Sequence, residues 1–340
     1  MQNTESSPGD LRIAFMGTPE FAVPSLRALL DAREVVGRPA RVVAVVTQPD
    51  RPSGRGGRVQ EGPVKRAARA AGVPVLQPER LRRAENVAAL RAYDPDLIVV
   101  AAFAQILSRE VLDLPAHGCL NVHASLLPRW RGAAPITAAI LAGDATTGIT
   151  IMRMDPGLDT GPILTRRAAP IKPDDTTGSL TTRLAAMGGD LLAATLDPWI
   201  AGALTPREQE ADGVTLTRPL RRADGAIAWE TTPATTIARM VRAYDPWPGT
   251  YTRYNERILK LWLAEALDAP LPPDVAPGHV LSRAQAAPVI AGRHLGWPQL
   301  VVATIDGLLL VHRVQPEGKR VMAADEFMRG QPAIAGLQLG

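Results

Sequence analysis

The stretch LRIAFMGTPEFAVPSLRALLDA, residues 11–32, carries the first clear fold signal in this chain. Its opening LRIAFMG is a nearly continuous apolar run, which is typical of a strand buried on both faces. After a short turn, FAVPSLRALLDA repeats its apolar residues at helical spacing. This strand-turn-helix unit predicts an α/β fold built around a parallel sheet.

The same alternation continues through the first two hundred residues. Strand-like runs recur in RVVAVVTQ (41–48), VPVLQ (73–77), DLIVVAA (96–102) and CLNVH (119–123), with helical periods between them in VKRAARAAG (64–72) and NVAALRAY (86–93). TTGITIMRM (146–154) is followed after a turn by GPILTRRAAPI (161–171), and the pattern then predicts a helix from Thr177 to Ala201. The class indicated is α/β, with a Rossmann-like parallel sheet.

Length and composition set the outer limits. The 340 residues, 46% hydrophobic and 21% charged, are those of a globular protein with room for two cores. No apolar run reaches the ~20 residues that span a bilayer, and the start resembles no signal or transit peptide, so we expect a cytosolic protein. The net charge of +4 does not by itself identify a binding partner. Cys119 is the only cysteine; a thiol nucleophile is possible, but its apolar strand favours a packing role.

A second domain follows a change of pattern. AGALTPREQEADGVTLT (201–217) loses hydrophobic period and gains charge, as a linker does. WETTPATTIARMVRAYDP (229–246) then predicts a helix capped by Thr232 with Pro233 in its first turn. Short strands follow in GTYTRY, RILKLWLAEAL, GHVLSRA and LVVATIDGLLLVHRV, the last with a turn at Asp306-Gly307. We predict a tail over 1–10, a catalytic domain over 11–203, a linker over 204–220 and a small OB-like β-barrel over 221–330.

Polar residues stand at one predicted sheet edge. Asn121 and His123 lie at the end of the CLNVH strand, where ligands bind in open α/β sheets. Asp155 and Asp159 lie in the turn MDPGLDTGPIL, where aspartate usually serves turn geometry alone. An amide, a histidine and a carboxylate without a serine or cysteine between them suit acyl transfer to an amine that is itself the nucleophile. The first turn, with Gly17 alone, lacks a dinucleotide fingerprint.

Long motifs then carry a family resemblance. NVHASLLPRWRGAAPI, DATTGITIMRMDPGLDTGPIL, AFMGTPEFA and TQPDRPSGRGGR resemble those of the formyltetrahydrofolate-dependent formyltransferases. The loop after the second strand, with AYDPWPGT, VQPEGKR and AADEFMRG in the second domain, is similar to the methionyl-tRNA formyltransferases within that group. The resemblance runs from about Leu11 nearly to the end of the chain.

The resemblance implies transfer of a formyl group from the co-substrate 10-formyltetrahydrofolate to the α-amine of methionyl initiator tRNA. The catalytic residues would be Asn121, His123 and Asp159. Asn121 and His123 would stabilise the negative charge on the formyl oxygen, and Asp159 would orient His123 and help remove a proton from the amine. We expect a monomer that needs no metal and no membrane.

The resemblance also implies two sets of binding residues. The predicted folate-binding residues are Phe103, Ile106, Ser125, Leu126, Leu127 and Pro128. The family usually has Tyr-Gly where this chain has Phe103-Ala104, which removes a hydroxyl and adds a methyl. The predicted tRNA-binding residues are Arg51, Arg55, Arg58 and Arg218. Lys65, Arg66 and Arg69 would extend the positive field, and Arg221 or Arg222 is an alternative to Arg218 for a lysine that the family has at the domain entry.

Three other functions remain open from the sequence. A sugar-nucleotide formyltransferase would share the catalytic motif, but the basic loop DRPSGRGGR argues against it. A formyltetrahydrofolate hydrolase would use water at the same site. A non-catalytic RNA-binding module would need none of Asn121, His123 and Asp159.

Overall fold

The computed structural model describes residues 9–53, 58–293 and 299–340. Within these residues, contacts divide the chain into two compact units. The first unit comprises Met1–Pro135, Thr146–Pro170 and Thr181–Arg218, and the second comprises Ile136–Ala145, Ile171–Leu180 and Pro219–Gly340. The predicted tail, apart from Gly9 and Asp10, lies outside the described residues.

The first unit is built on a mixed sheet. The strands of this unit are β1 Leu11–Gly17, β2 Glu34–Val35, β3 Arg38–Val46, β4 Arg51–Ser53, β5 Arg58–Gln60, β6 Val75–Leu76, β7 Leu97–Ala101, β8 Cys119–His123, β9 Arg131–Gly132, β10 Thr146–Arg153, β11 Ile163–Pro170 and β12 Leu216–Thr217. The order in the main sheet is β11-β10-β8-β7-β1-β3-β2, with β6 also on β3. Strands β6, β3, β1, β7 and β8 are parallel, as predicted. Strands β10 and β11 are antiparallel to each other because the turn that joins them is too short for a parallel crossover. Strand β10 is also antiparallel to β8.

Helices cover both faces of the sheet. They are α1 Val23–Asp31, α2 Pro63–Ala70, α3 Ala84–Arg91, α4 Arg109–Leu112 and α6 Thr177–Ile200, whereas α5 Pro135–Ala142 belongs to the second unit from Ile136 onward. On one face, Val87 and Leu90 of α3 pack with Ile98 of β7. On β8, a Cβ placed on Gly188 of α6 would lie only 2.9 Å from Val122, so this glycine permits close helix-sheet packing. The strands β1, β7 and β8 are accordingly almost fully buried.

The predicted linker, residues 204–220, is attached to the first unit over much of its length. Arg207 exchanges two backbone hydrogen bonds with Ile163 of β11, of 2.7 and 2.9 Å. Further along, β12 pairs in parallel with the two-residue strand β9, where Leu216 lies opposite Arg131. The segment therefore follows the edge of the first unit as far as Arg218.

The second unit contains an antiparallel sheet. Its elements are α7 Ala234–Ala243, β13 Thr250–Tyr254, β14 Arg257–Leu267, α8 Arg283–Ala291, β15 Leu300–Ala303, β16 Leu308–Pro316, β17 Met322–Ala323 and α9 Ala324–Gly330. The sheet order is β13-β14-β16-β15, with β17 on β16. Trp229 is buried in its core with Ile237 of α7 and Val311 of β16. The indole N–H of Trp229 donates to Thr252 Oγ1 at 2.9 Å, so its polar atom is satisfied.

Two local predictions in this unit are wrong. Thr232 does not cap α7, because Pro233 occupies the cap position and the carboxylate of Asp306 accepts from Ala234 N at 2.9 Å instead. GHVLSRA is not a strand, since only isolated bridges occur at His279 and Val280. Ser282 instead caps α8 in a capping box with Gln285.

Candidate active site

Asn121 and His123 lie two residues apart on the central strand β8. In a strand, residues i and i+2 point to the same face, so both side chains project together. Their neighbours on the flanking strands are Val100 of β7 for Asn121 and Thr150 of β10 for His123. Both are buried, at 8% and 6% exposure. Buried polar groups need partners, and these two find one in common.

That common partner is Asp159, in the turn between β10 and β11. Asn121 Nδ2 donates to Asp159 Oδ1 at 3.2 Å, and His123 Nδ1 lies 3.6 Å from Asp159 Oδ2. Oδ2 also accepts from the backbone N–H of Gly132 at 2.8 Å. The structure thus brings together the three predicted catalytic side chains, although Asp159 is 38 residues from Asn121.

The second nitrogen of His123 has its own partner. Nε2 lies 3.0 Å from the carbonyl oxygen of Trp130. A carbonyl only accepts hydrogen bonds, so the proton of a neutral ring belongs on Nε2. Nδ1 then carries a proton only when both ring nitrogens do, and that proton would face the carboxylate of Asp159.

The two aspartates of this turn have different roles. Asp155 accepts from the hydroxyl of Thr160 at 2.7 Å and from the N–H of Gly157 at 3.1 Å. These local bonds are the turn chemistry expected of aspartate in a glycine-rich loop. Asp159 instead directs its carboxylate away from its own turn, toward β8 and Gly132.

The loop after β8 is held by its own hydrogen bonds. Ser125 is fully buried, and its hydroxyl donates to the carbonyl of Arg129 at 2.6 Å. Leu127 is also buried, and its N–H donates to Thr150 Oγ1 at 3.1 Å. Leu126 and Pro128 are half-buried. Ser125 and Leu127 thus shape the predicted folate-binding loop from inside.

The other two predicted folate-binding residues differ in exposure. Phe103 is 2% exposed and packs in the core beneath β7 and α4. Ile106, in contrast, is 84% exposed, which is unusual for a large apolar side chain. Between them, Ala104 has a left-handed φ of +60°, a conformation in which glycine is unstrained. Gln48 Nε2 donates to the carbonyl of Phe103 at 3.2 Å and so ties this turn to the end of β3.

The predicted tRNA-binding arginines are spread over two places. Arg51 and Arg58 open the strands β4 and β5 of a small hairpin. Arg55 lies outside the described residues. Arg218 is exposed at the end of the first unit.

Two of the three basic residues that would extend the positive field along α2, Lys65 and Arg69, pair with acidic groups. Lys65 Nζ donates to Asp50 and, at 2.8 Å, to Gln77 Oε1. The carboxylate of Glu61 pairs with Arg69, and its carbonyl accepts from Arg66 Nη1 at 2.6 Å. The hydrogen bond from Lys65 holds the pKa of Asp50 below its ordinary value, and the same bond raises the pKa of Lys65. Asp50 and Glu61 thus offset the charges of Lys65 and Arg69 at the base of the hairpin, while Arg66 donates to a neutral carbonyl.

Cys119 lies in β8 two residues before Asn121 and is buried. Burial raises the pKa of its thiol to about 12, so the thiol remains protonated near neutral pH. Its packing role is confirmed. In the described parts of the chain, no cluster of histidine, cysteine, aspartate or glutamate could hold a metal ion. No described helix is both long and apolar enough to cross a membrane.

Sequence reasoning missed Gln209 in the predicted linker. Gln209 Nε2 donates to the carbonyls of Asp159 and Gly161, both at 2.8 Å, and Arg131 Nε donates to Gln209 Oε1 at 3.0 Å. Nothing in PREQEAD signals this role, since a glutamine among charged residues reads as solvent-exposed. Only the return of the chain to the turn after β10 shows it.

Comparisons with known proteins agree with this architecture. A family model described as formyl transferase matches residues 11–196, and one described as formyl transferase, C-terminal domain, matches residues 219–332. A methionyl-tRNA formyltransferase from Magnetococcus marinus is 48% identical over 97% of this chain and 98% of its own length. One from Myxococcus xanthus is 44% identical over 96% and 97%.

A solved structure shares the fold at low identity. It is a sugar 3N-formyl transferase crystallised with dTDP and 5-N-formyl-THF, with a TM-score of 0.61 and 16% identity. The match covers 91% of this chain and 99% of that one. At this identity it shows the fold alone.

Proposed function

This chain belongs to the methionyl-tRNA formyltransferase family, and we propose that Asn121, His123 and Asp159 carry the reaction by which it formylates the α-amine of methionyl initiator tRNA from 10-formyltetrahydrofolate. The observation that supports this assignment is the carboxylate of Asp159, which reaches Asn121, His123 and the N–H of Gly132 at once. A purely structural turn would not need three such partners from another loop and strand.

The chemistry follows from which hydrogens each side chain offers. The amine nitrogen attacks the formyl carbon, and negative charge develops on the formyl oxygen. Asn121 has a second amide hydrogen beyond the one given to Asp159, and protonated His123 has a hydrogen on Nδ1. Both can donate to that oxygen, and losing one such donor typically costs about 10²–10³ in rate.

Proton movement falls to Asp159. The attacking amine loses a proton as the carbon-nitrogen bond forms, and Asp159 is the carboxylate beside the two donors, able to accept it directly or through a water. When the tetrahedral intermediate collapses, the bond from the formyl carbon to the folate nitrogen breaks. That nitrogen leaves with the proton that protonated His123 carried on Nδ1, and the proton held by Asp159 then passes to His123 Nδ1, which restores both groups. No enzyme-bound covalent intermediate is needed.

The folate site has apolar and backbone groups on two loops. Exposed Ile106 and half-buried Leu126 and Pro128 are available for contact with a flat apolar ring system. Phe103, Ser125 and Leu127 support these loops from below. The co-substrate brings the formyl group, and the residues proposed here act without a metal.

We assign tRNA binding to Arg51, Arg55, Arg58 and Arg218 and to the second unit, which we propose to be OB-like. Arginines suit phosphate groups and base stacking. OB-type sheets commonly bind single-stranded nucleic acid. We expect the protein to act as a monomer in the cytosol.

One experiment tests this function. The protein is incubated with methionyl initiator tRNA and 10-formyltetrahydrofolate, and the esterified amino acid is analysed. Formylmethionine supports the proposal. Formyl transfer to a nucleotide-linked amino sugar instead, or release of formate without tRNA, would replace it with the corresponding alternative.

A further inference from the structure

We propose that the segment of residues 207–217, hereafter the bracing segment, positions His123 for catalysis by holding the residues on both sides of its ring. This inference rests on the proposed function of His123 and Asp159. The bracing segment lies between the two stretches that the family models match, 11–196 and 219–332. The side chains of this segment that hold the two sides of the ring are those of Gln209 and Thr215.

The first side of the ring is Trp130. Its carbonyl faces His123 Nε2 at 3.0 Å. Trp130 has a left-handed φ of +62°, a conformation that is sterically strained for a residue other than glycine. Its N–H donates to Thr215 Oγ1 at 2.8 Å, and the next N–H, of Arg131, donates to the carbonyl of Thr215 at 2.9 Å.

The second side of the ring is Asp159. Its carboxylate faces His123 Nδ1 at 3.6 Å, and its φ of +53° is left-handed as well. Gln209 donates to the carbonyl of Asp159 and to that of Gly161, both at 2.8 Å. The same segment therefore stabilises both strained residues that face His123.

Gln209 also joins the two sides directly. Its Oε1 accepts from Arg131 Nε at 3.0 Å while its amide nitrogen serves the Asp159 turn. The side chain of Gln209 thus links the Trp130 loop to the Asp159 turn, in addition to the hydrogen bond from Gly132 N–H to Asp159. Strained backbone persists only where its surroundings hold it, and these hydrogen bonds supply that support.

The consequence for catalysis is geometric. Reacting groups must be aligned closely, and a shift of about 1 Å can cost a hundredfold in rate. Releasing either side would let the strained residue relax and carry the carbonyl or the carboxylate away from His123. Gln209 and Thr215 are therefore positioning residues, which act through Asp159 and Trp130 and need not touch the substrate.

The test uses the full chain and two substitutions that keep side-chain size, Gln209→Met and Thr215→Val. We expect kcat to fall about tenfold in each, the effect of losing one or two hydrogen bonds. KM for both substrates should stay within about twofold, because no substrate contact is removed. The control is Asn86→Leu in α3. It likewise removes a side-chain amide that donates to a backbone carbonyl, that of Arg80.

A double-mutant cycle separates positioning from general loss of stability. If Gln209 acts through Asp159, Gln209→Met should cost less than about twofold in an Asp159→Asn background. Equal losses in both backgrounds, or a change confined to KM or to melting temperature, would overturn the proposal.

A measurement without substrate keeps this test independent of the function. The N–H of Gly132 donates to Asp159 Oδ2, so its hydrogen exchange should speed up in Gln209→Met while the melting temperature is kept. Unchanged exchange at Gly132 contradicts the positioning role even if the wild type formylates a different amine.

Discussion

The backbone N–H of Gly132 donates a 2.8 Å hydrogen bond to the carboxylate of Asp159. Gly132 lies in β9, at φ +107°, and a Cβ placed on it would lie 2.3 Å from the carbonyl oxygen of Thr217 in β12. Only glycine therefore allows this N–H to reach Asp159 while β9 and β12 stay paired.

We expect Gly132→Ala to lower kcat/KM by about a hundredfold, because β9 must move away from Asp159. The free energy of unfolding should also fall, by about 2 kcal/mol, from strain and overpacking. Gly202→Ala is the matched control, since Gly202 is also left-handed but has no atom within 4 Å of its added Cβ. Steady-state kinetics and thermal melts of both variants decide the matter, and equal turnover in the two would contradict it.

Replacing Asp159 with Asn should separate chemistry from folding. Asparagine tolerates the left-handed backbone at this position, so the melting temperature should stay close to that of the wild type. Turnover should fall by about a hundredfold or more, as should that of His123→Ala and Asn121→Ala. Asp190→Asn, on the exposed face of α6, serves as the control. Near wild-type turnover in any of the three variants would show that its assigned role is wrong.

For Arg55, we expect Arg55→Ala to reduce formylation of tRNA by at least about tenfold while folate binding is kept. The reason is loss of a phosphate contact, which should also make the salt dependence of tRNA binding shallower. Arg91→Ala removes an equal charge from a residue paired with Glu110 and should change neither quantity. Normal formylation by Arg55→Ala at physiological salt would show that this loop is only a solvated surface.

Asp50→Asn separates two roles of charge at the hairpin. Removing a negative charge near the proposed tRNA-binding residues should strengthen tRNA binding if only the net electrostatic field matters. Because Asp50 instead holds Lys65 at the base of the β4–β5 hairpin, we expect KM for tRNA to rise several-fold. Faster hydrogen exchange of the N–H groups in β4 and β5 should accompany it, and a lower KM would contradict this role.

The same pair makes a prediction for acid stability. Lys65 lowers the pKa of Asp50 in the folded state, so the bond contributes stability above the ordinary value of 3.8 and loses it as pH falls through the lowered value. The stability difference between wild type and Asp50→Asn should therefore shrink below about pH 4. Chemical unfolding at several pH values measures it.

We expect that Ala104→Gly does not destabilise the protein, although replacing alanine with glycine usually lowers the stability of a folded protein. Ala104 has φ +60°, and relief of about 1 kcal/mol of strain offsets the extra entropy of glycine in the unfolded chain. The control, Ala88→Gly in the middle of α3, should lose about 1 kcal/mol. A similar loss at both positions, by thermal melts, would show that residue 104 is not strained.

The sequence by itself determined the main strands and helices of the first unit, and with the family resemblance it predicted Asn121, His123 and Asp159 as catalytic residues. Apolar runs and helical periods are local signals, and they located β1, β3, β7 and β8 closely. Asn121 and His123 could be placed at the carboxyl edge because a parallel sheet fixes where its strands end. The glycine-rich turn around Asp159 could also be recognised from its local sequence. The pairing of Asp159 with His123, in contrast, was predicted from the family resemblance.

Tertiary structure alone decided what depends on distant chain segments. Asp306 caps α7 from a turn 72 residues away, and Gln209 holds the Asp159 turn from 50 residues away. A hydrogen bond of this kind leaves no periodic pattern, because each partner is a common polar residue in an ordinary loop. The pairing of Lys65 on α2 has the same origin, since Asp50 and Gln77 meet Lys65 only once the sheet has brought their loops together.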